Sequence, residues 1–428
     1  MLLRFSVTNH LSIRDEFNFL MVAAKLNDYP DGLISSPLSG IDVVPAALIY
    51  GPNASGKSNI ISALSFMQST ILNSQVRAKP EEEIGVQPFA LSPATLTEPS
   101  CFEADFILNG IRYQYGFSLD SREVKDEWLQ AYPYGRAQQL FRRERQNFSF
   151  GRKLKGRNTV IADLTRRNSL FLSAAAQNDH DELTPIYKFF SSIQFIQSLA
   201  FAGMTVSQEF ERSVVDKRVI NFLKNIGTGV VSYRKKEVAV GESLLEMRTK
   251  FLAAIKSALE YEGEVPDLSK EVSIELGHKA SNGEVVFFEL DRESSGTRRL
   301  LVMLSKIFET LDRGGLIIID ELDASLHTQA CELIFGLFSD KQYNRNGGQL
   351  IATVHDTNLL KSEFIRRDQV WLCQKDEGGA SHFTPLTDIK LRHTDDFEKG
   401  YLQGRFESLP FSGNLKEMIT SGRITSGE

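Results

Sequence analysis

Apolar residues change their spacing several times along this chain, and each change marks an element. Residues 2–8 alternate and read as an edge or hairpin strand. Ala46-Ala47-Leu48-Ile49-Tyr50 is a short continuous apolar run, the pattern of a parallel strand covered on both faces. From Asn59 to about Leu72 the apolar positions recur at helical spacing, at Ile60, Ile61, Leu64, Met67 and Ile71. Phe102, Ala104, Phe106 and Leu108 alternate with polar neighbours, Asn109-Gly110 is a two-residue turn signal, and Ile111, Tyr113, Tyr115 and Phe117 resume the alternation. Residues 100–150 therefore predict β-hairpins.

Residues 182–262 read as mostly helical, less clearly over 204–240. A second hairpin is predicted over 272–276 and 285–290, joined through Asn282-Gly283. The last third alternates helix and strand. Residues 297–311 form an amphipathic helix with Leu300, Leu301, Leu304, Ile307, Phe308 and Leu311 on one side. Residues 316–319 are a continuous apolar run. The next helix carries Leu326, Ala330, Leu333, Ile334, Leu337 and Phe338, and residues 350–354 give another buried strand. After about residue 395, Gly400, Gly404, Pro410 and Gly413 predict irregular backbone.

Composition narrows the class. The 428 residues suffice for two ordinary domains or one large α/β domain with insertions. The net charge of -6 argues against a chain dominated by nucleic-acid binding and leaves a local basic patch open. Cys101, Cys331 and Cys373 fit no metal or disulfide spacing and read as reduced thiols in a cytoplasmic protein. The start, Met1-Leu2-Leu3-Arg4-Phe5, is not a signal peptide, and no apolar stretch is long enough to predict a membrane span.

Gly51-Pro52-Asn53-Ala54-Ser55-Gly56-Lys57-Ser58 fills the pattern GxxxxGK followed by Ser or Thr. Its glycines let backbone N–H groups wrap phosphates, Lys57 supplies a point charge, and the Ser58 hydroxyl is the expected Mg²⁺ ligand, with Asn59 completing the nucleotide-binding set. A glycine turn without ligand is the plain alternative; the apolar strand before the loop and the helix after it favour the phosphate reading. Leu316-Ile317-Ile318-Ile319-Asp320-Glu321 is a buried strand ending in two acids, a Walker B pattern. Asp320 is the expected metal ligand and Glu321 the expected general base toward the attacking water.

Glu293-Ser294-Ser295-Gly296-Thr297-Arg298-Arg299 precedes an amphipathic helix, where free N–H groups and the helix dipole attract anions. Alone it is an ordinary N-cap. Standing shortly before a Walker B strand it resembles the signature motif of ABC-type ATPases, with Ser294, Ser295 and Gly296 meeting a γ-phosphate held by the opposite subunit. His355, directly after a strand over 349–354, is incidental by itself, and in this order resembles the ABC switch histidine. Gln177, in Phe171-Leu172-Ser173-Ala174-Ala175-Ala176-Gln177-Asn178, is the candidate for the glutamine that such proteins place on Mg²⁺ and the attacking water, with Gln87 as runner-up. His327 stands where the D-loop of ABC proteins usually has aspartate. Arg142, Arg143, Arg145, Arg152, Lys153, Lys155 and Arg157, interleaved with Phe141, Phe148 and Phe150, suit nucleic-acid phosphates, though a solvated hairpin is the blander reading.

The order Walker A, glutamine, signature, Walker B, histidine resembles the ATPase heads of SMC, RecF and double-strand-break-repair proteins, which excludes the AAA+ motor reading in favour of ABC-type dimerisation. More narrowly the chain resembles the AAA15 group of ABC-like ATPases, with its RloA- and AbiLi-type members. The likeness is carried by Phe5-Ser6-Val7-Thr8-Asn9, residues 170–178, residues 354–360, Gly400-Tyr401-Leu402-Gln403-Gly404-Arg405-Phe406 and Pro410-Phe411. Where such proteins often have Asn-Phe-Arg-Ser, this chain has Asn9-His10-Leu11-Ser12, and Arg14 is the nearest arginine.

The resemblance implies an α/β fold, an ABC-type P-loop NTPase head with a β-hairpin-rich N-lobe over 1–178, a helical insertion over 179–270 and a C-lobe over 271–428. The insertion is too short for a coiled-coil arm and lacks heptads. The implied activity is ATP hydrolysis with Mg²⁺ in a head-to-head dimer, a switch for an effector in bacterial anti-phage defence, with a nuclease-like RloB-type partner. A RecF-like DNA-binding repair ATPase and a nucleotide-gated scaffold with little need of hydrolysis are the alternatives.

Overall fold

The structure is a computed structural model. It describes all residues except 27, 30–31, 39, 78, 197–214, 240, 242, 244, 248, 251–269, 363 and 390–428. The resemblance passages around Gly400 and Pro410, and the irregular stretch expected after 395, lie outside the described residues.

The chain opens on an antiparallel hairpin, β1 (Leu2–Thr8) and β2 (Phe17–Leu20), and a short ladder, β3 (Ile34–Ser35) with β4 (Asp42–Val43). β5 (Ala46–Tyr50) then leads through the glycine loop into α1 (Lys57–Asn73). Five antiparallel strands follow: β6 (Ser100–Leu108), β7 (Ile111–Leu119), β8 (Val124–Tyr132), β9 (Gln138–Glu144) and β10 (Asn147–Phe150). The predicted turn sits between β6 and β7, where Leu108 pairs with Ile111 and both Asn109 and Gly110 take positive φ, at 50° and 76°. That is the backbone a two-residue hairpin loop requires.

Helices α2 (Asn158–Leu164), α3 (Phe171–Gln177) and α4 (Thr184–Ser191) come next, then β11 (Gln194–Ile196), α5 (Lys217–Asn225) and β12 (Val230–Ala239). The remaining elements are β13 (Lys270–Lys279), β14 (Val285–Glu289), α6 (Ser295–Arg313), β15 (Leu316–Ile319), α7 (Thr328–Ser339), β16 (Gln349–Thr353), β17 (Val370–Lys375) and β18 (Ser381–Pro385).

One expectation is narrowed and one changes. Of the two readings of residues 2–8, edge or hairpin strand, the structure shows the hairpin: β1 pairs with β2 on one side and with β6 on the other, and Leu2, Leu3, Phe5 and Val7 are all buried. The helical insertion is not all helix. Gln194–Ile196 joins the central sheet, and Val230–Ala239 pairs with β13 along its length. Val230, Val231, Tyr233 and Val238 favour a strand, and an available partner strand decides such a segment over its helix-tolerant lysines.

Among the described strands, seven form an antiparallel sheet in the order β10-β9-β8-β7-β6-β1-β2, and six form a sheet in the order β11-β15-β16-β5-β17-β18 that is parallel except at β18. This mixed α/β architecture suits a P-loop NTPase. β5 lies between β16 and β17, and all five of its residues are buried. Its side chains divide by the two-residue period of a strand. Ala47 and Ile49 enter the core shared with the seven-stranded sheet, α1 and α3, while Ala46, Leu48 and Tyr50 enter the core under α6 and α7. Because both faces are covered, polar residues are confined to the strand ends, where a ligand can be met.

Candidate functional site

Four parallel strands end on one crevice. β5 delivers the glycine loop, β15 delivers Asp320 and Glu321, β16 delivers Thr353 and His355, and β17 ends at Lys375. A cavity of about 470 Å³ opens there, lined by residues 53–59 together with Glu321, Thr353, His355 and Lys375. The structure thus brings Asn53, Ala54, Ser55, Gly56, Lys57, Ser58, Asn59, Glu321 and His355 to one place, as residues at the carboxyl ends of an open parallel sheet should be.

The loop is held by its surroundings. Gly56 has φ 104° and stands against the Ser381 and Ser12 hydroxyls, so a side chain there meets both a disfavoured backbone and occupied space. The two hydroxyls hydrogen-bond each other at 2.6 Å, and that of Ser381 donates to the Ser55 carbonyl at 2.6 Å. The Lys57 ammonium donates to the carbonyls of Gly51 at 2.7 Å and Pro52 at 3.0 Å. Burial lowers its pKa from the usual lysine value, against the pull of nearby Asp320, Asp323 and Glu321. A phosphate arriving in the loop would relieve that burial penalty with countercharge.

The acids are set by one residue that the sequence did not single out. Thr353 is fully buried; its hydroxyl donates to Asp320 Oδ1 at 2.6 Å and accepts from the Glu321 N–H at 2.7 Å. Glu321 has φ 53°, a strained conformation for a non-glycine residue, and this bond helps to keep it. Ser58 Oγ donates to Asp320 Oδ1 at 3.0 Å. A hydroxyl and a carboxylate this close offer the hard oxygen donors that Mg²⁺ takes when waters and phosphate oxygens complete its shell. Ser58 and Asp320 therefore fit that ion, whose contribution when bound is to neutralise phosphate charge.

Asp323 was also missed. Its Oδ2 accepts from the backbone N–H groups of His355 at 2.7 Å and Asp356 at 2.6 Å, tying the histidine's backbone to the turn after β15. The signal was present in the acid following Asp320-Glu321-Leu322, but spacing alone does not say that it reaches across to β16. Lys375, exposed at the end of β17, carried no motif.

Other predicted residues stand elsewhere. Ser294 caps α6, its hydroxyl accepting from the Thr297 N–H at 3.1 Å; neither it nor Ser295 nor Gly296 lines the cavity. A Cβ on Gly296 would sit 2.7 Å from the Ser325 carbonyl, so the signature-like turn packs closely on the D-loop of its own chain. One turn further along α6, Arg299 donates to the carbonyls of Asp320 and Glu321. Gln177, expected to touch the metal and water, is exposed at the far end of α3 and does not line the cavity. The Phe171 and Leu172 N–H groups at the start of α3 bond the buried Glu127 carboxylate, at 2.6 and 3.0 Å, which ties the helix to β8. Gln87 lines an adjoining cavity that shares Asn59 and Lys375 with the first. His327 caps α7, with Nδ1 accepting from the Gln329 N–H at 3.3 Å.

The basic stretch divides in two. Arg143 is fully buried, 3.7 Å from Glu127 and bonded to the Ser169 carbonyl, and Arg142 pairs with Glu144 at 2.9 Å. Phe141 is core, and Phe148 and Phe150 pack on Phe171. Arg145, 3.7 Å from Glu123, and Arg152, Lys153, Lys155 and Arg157 are exposed.

A family model described as an AAA domain, with reference to the AbiEii toxin of a Type IV TA system, matches residues 46–361, which run from β5 to just beyond His355. The chain belongs to this family. This is a P-loop ATPase family of the AAA/ABC-like kind, whose members generally use ATP and Mg²⁺. No curated protein matches the chain. No described helix is long and apolar enough to cross a membrane.

Proposed function

We propose that two copies of this chain sandwich two ATP molecules and hydrolyse them, and that closing and opening of the pair switches an effector in bacterial anti-phage defence. The supporting observation is a divided site. One chain gathers Lys57, Ser58, Glu321 and His355 around one crevice of about 470 Å³. Ser294, Ser295 and Gly296, at the head of a nineteen-residue helix, stand outside that crevice, although they are the remaining anion-binding group of the motif set. A site completed by the partner's helix N-terminus accounts for both facts.

Within such a site the backbone of residues 53–57 and the Lys57 ammonium hold the β- and γ-phosphates. Ser58 and Asp320 hold Mg²⁺. Glu321 orients and deprotonates the attacking water, and His355 steadies the γ-phosphate. The cytoplasm, a nuclease-like effector of the RloB type and the defence role follow from the family resemblance and from the toxin–antitoxin wording of the matched family. The direct test is Glu321→Gln: ATP turnover should fall steeply while an ATP-bound dimer accumulates. Unchanged turnover with no dimer would refute the mechanism.

A second reading, direct DNA binding of the RecF kind, is favoured by four neighbouring exposed cations, Arg152, Lys153, Lys155 and Arg157. It requires DNA binding that weakens with salt and disappears when the four become glutamates. Absence of binding at moderate salt removes it.

A further inference from the structure

β17 and β18 form a hairpin that lies beyond residues 46–361, the stretch matched by the family model. We propose that Lys375, at the end of β17, binds the α- and β-phosphates of the nucleotide, so that this hairpin is a working wall of the ATP site. The proposal rests on the ATPase reading above and adds to it a phosphate-binding residue that no motif marks.

The first observation is how closely the hairpin holds the glycine loop. β17 runs parallel to β5, with Val370, Trp371 and Leu372 opposite Leu48, Ile49 and Tyr50. β5 stops at Tyr50, while β17 continues to Lys375 alongside the loop. A Cβ on Gly51 would stand 2.3 Å from the Cys373 carbonyl oxygen, so only glycine fits there. The Cys373 thiol donates to the Ser55 carbonyl at 3.3 Å, and the Ser381 hydroxyl donates to the same oxygen at 2.6 Å. Burial pushes that thiol up to about 11, so it stays protonated and able to donate.

Strand geometry then aims Lys375. It is two residues beyond Cys373 and directly opposite Ser381 in the β17–β18 ladder. Residues two apart in a strand, and residues directly opposite in neighbouring strands, project from one face. The face that carries Lys375 is therefore the face that grips the glycine loop, and Lys375 lines the cavity of about 470 Å³.

The second observation is charge. Among the described residues, Lys57 and Lys375 are the two lysines that line this cavity. Lys57 is held by the Gly51 and Pro52 carbonyls, whereas Lys375 is exposed. The acid beside it, Asp376, is engaged elsewhere: it hydrogen-bonds His382 at 3.0 Å, faces Arg14 at 3.6 Å and accepts from the Ala380 N–H at 2.8 Å. An accessible ammonium whose neighbouring acid is so occupied is open to an anion, and one lysine alone leaves most of a polyphosphate's charge unmatched.

Sheet order decides which phosphates it meets. In the order β11-β15-β16-β5-β17-β18, Glu321, Thr353 and His355 arrive from β15 and β16 on one side of β5, and Lys375 arrives from β17 on the other. The bond to be cleaved lies toward the acids. The opposite side faces the phosphates that remain in ADP. Asn59, in the first turn of α1, belongs to the same side, since it and Lys375 also line the adjoining cavity together.

The test is Lys375→Met on the full chain, which keeps the stem and removes the charge. The KM for ATP should rise about tenfold with kcat unchanged, the mark of a contact made equally in ground and transition states. By calorimetry, affinity for ADP should fall by the same factor while the melting temperature holds, and Lys375→Arg should restore most of both. Unchanged ADP affinity would overturn the proposal. So would a fall in kcat without loss of ADP affinity, which would put the ammonium on the γ-phosphate. Wild-type protein that neither binds ADP nor turns over ATP would refute the ATPase reading, and the proposal with it.

Discussion

Replacing Thr353 by valine keeps the shape of a fully buried side chain and deletes one hydroxyl. That hydroxyl makes two bonds, to Asp320 Oδ1 at 2.6 Å and from the Glu321 N–H at 2.7 Å. The two losses differ. Asp320 Oδ1 retains the Ser58 hydroxyl at 3.0 Å, whereas the Glu321 N–H loses the bond that helps hold its left-handed backbone at φ 53°. A buried donor left without a partner costs about 1–3 kcal/mol, and for the half-buried Glu321 N–H the low end, about 1 kcal/mol, applies. Urea unfolding of Thr353→Val should therefore lose about that much stability. Relaxation of the strained turn moves the Glu321 carboxylate, and misplacement of a catalytic group by an ångström costs roughly a hundredfold in rate. ATP turnover should fall on that scale, while ATP binding, carried by residues 53–58, changes little. Thr353→Ser keeps the hydroxyl and should retain most of the activity. Equal damage from valine and serine, or a valine variant with full stability and turnover, would refute the assignment of Thr353 as the residue that positions both acids.

Other outcomes follow from the same contacts. Glu127→Ala leaves Arg143 buried without its countercharge and strips the Phe171 and Leu172 N–H groups, so it should cost roughly 3–5 kcal/mol in urea unfolding; a loss below about 1 kcal/mol would contradict the pairing. Asp323→Ala removes the acceptor for the His355 and Asp356 N–H groups and should lower turnover much as His355→Ala does, with the double variant no worse than either single one. Additive losses would show that Asp323 acts elsewhere. Burial lowers the His10 pKa from 6.5 to about 4, and the ring packs against Phe66 and Phe102. The unfolded chain binds the proton first on acidification, so stability present above the unfolded value is lost as pH falls toward the folded one; between pH 7.5 and pH 5 this is about 2 kcal/mol. His10→Gln should flatten that part of the pH profile, and an unchanged profile would place the acid sensitivity elsewhere.

Elements with strong periodicity or tight turn chemistry were readable from the chain. The run Ala46-Ala47-Leu48-Ile49-Tyr50 became the central strand β5, and Asn109-Gly110 became the predicted hairpin turn. The glycine loop, Glu321 and His355 could be placed because each follows directly from a buried strand, and parallel strands deliver their ends to one edge. Three kinds of information were not readable. Partner choice turned Val230–Ala239 into a strand, and flanking by β2 and β6 made β1 an interior one. Side chains that act across strands, such as Thr353 and Asp323, have no local motif, because their partners lie some thirty residues away. Gln177 was placed by its order in the chain, and order does not encode that Glu127 anchors the start of α3 while its far end stays outside the cavity.

The central claim, a composite site made by two chains, is tested most directly by measuring mass in solution. Glu321→Gln with ATP and Mg²⁺ should double the mass of the nucleotide-free protein in sedimentation velocity, and adding Ser294→Arg should abolish the doubling while the nucleotide remains bound. A protein that turns over ATP at full rate as a monomer, or a dimer indifferent to Ser294→Arg, would contradict it.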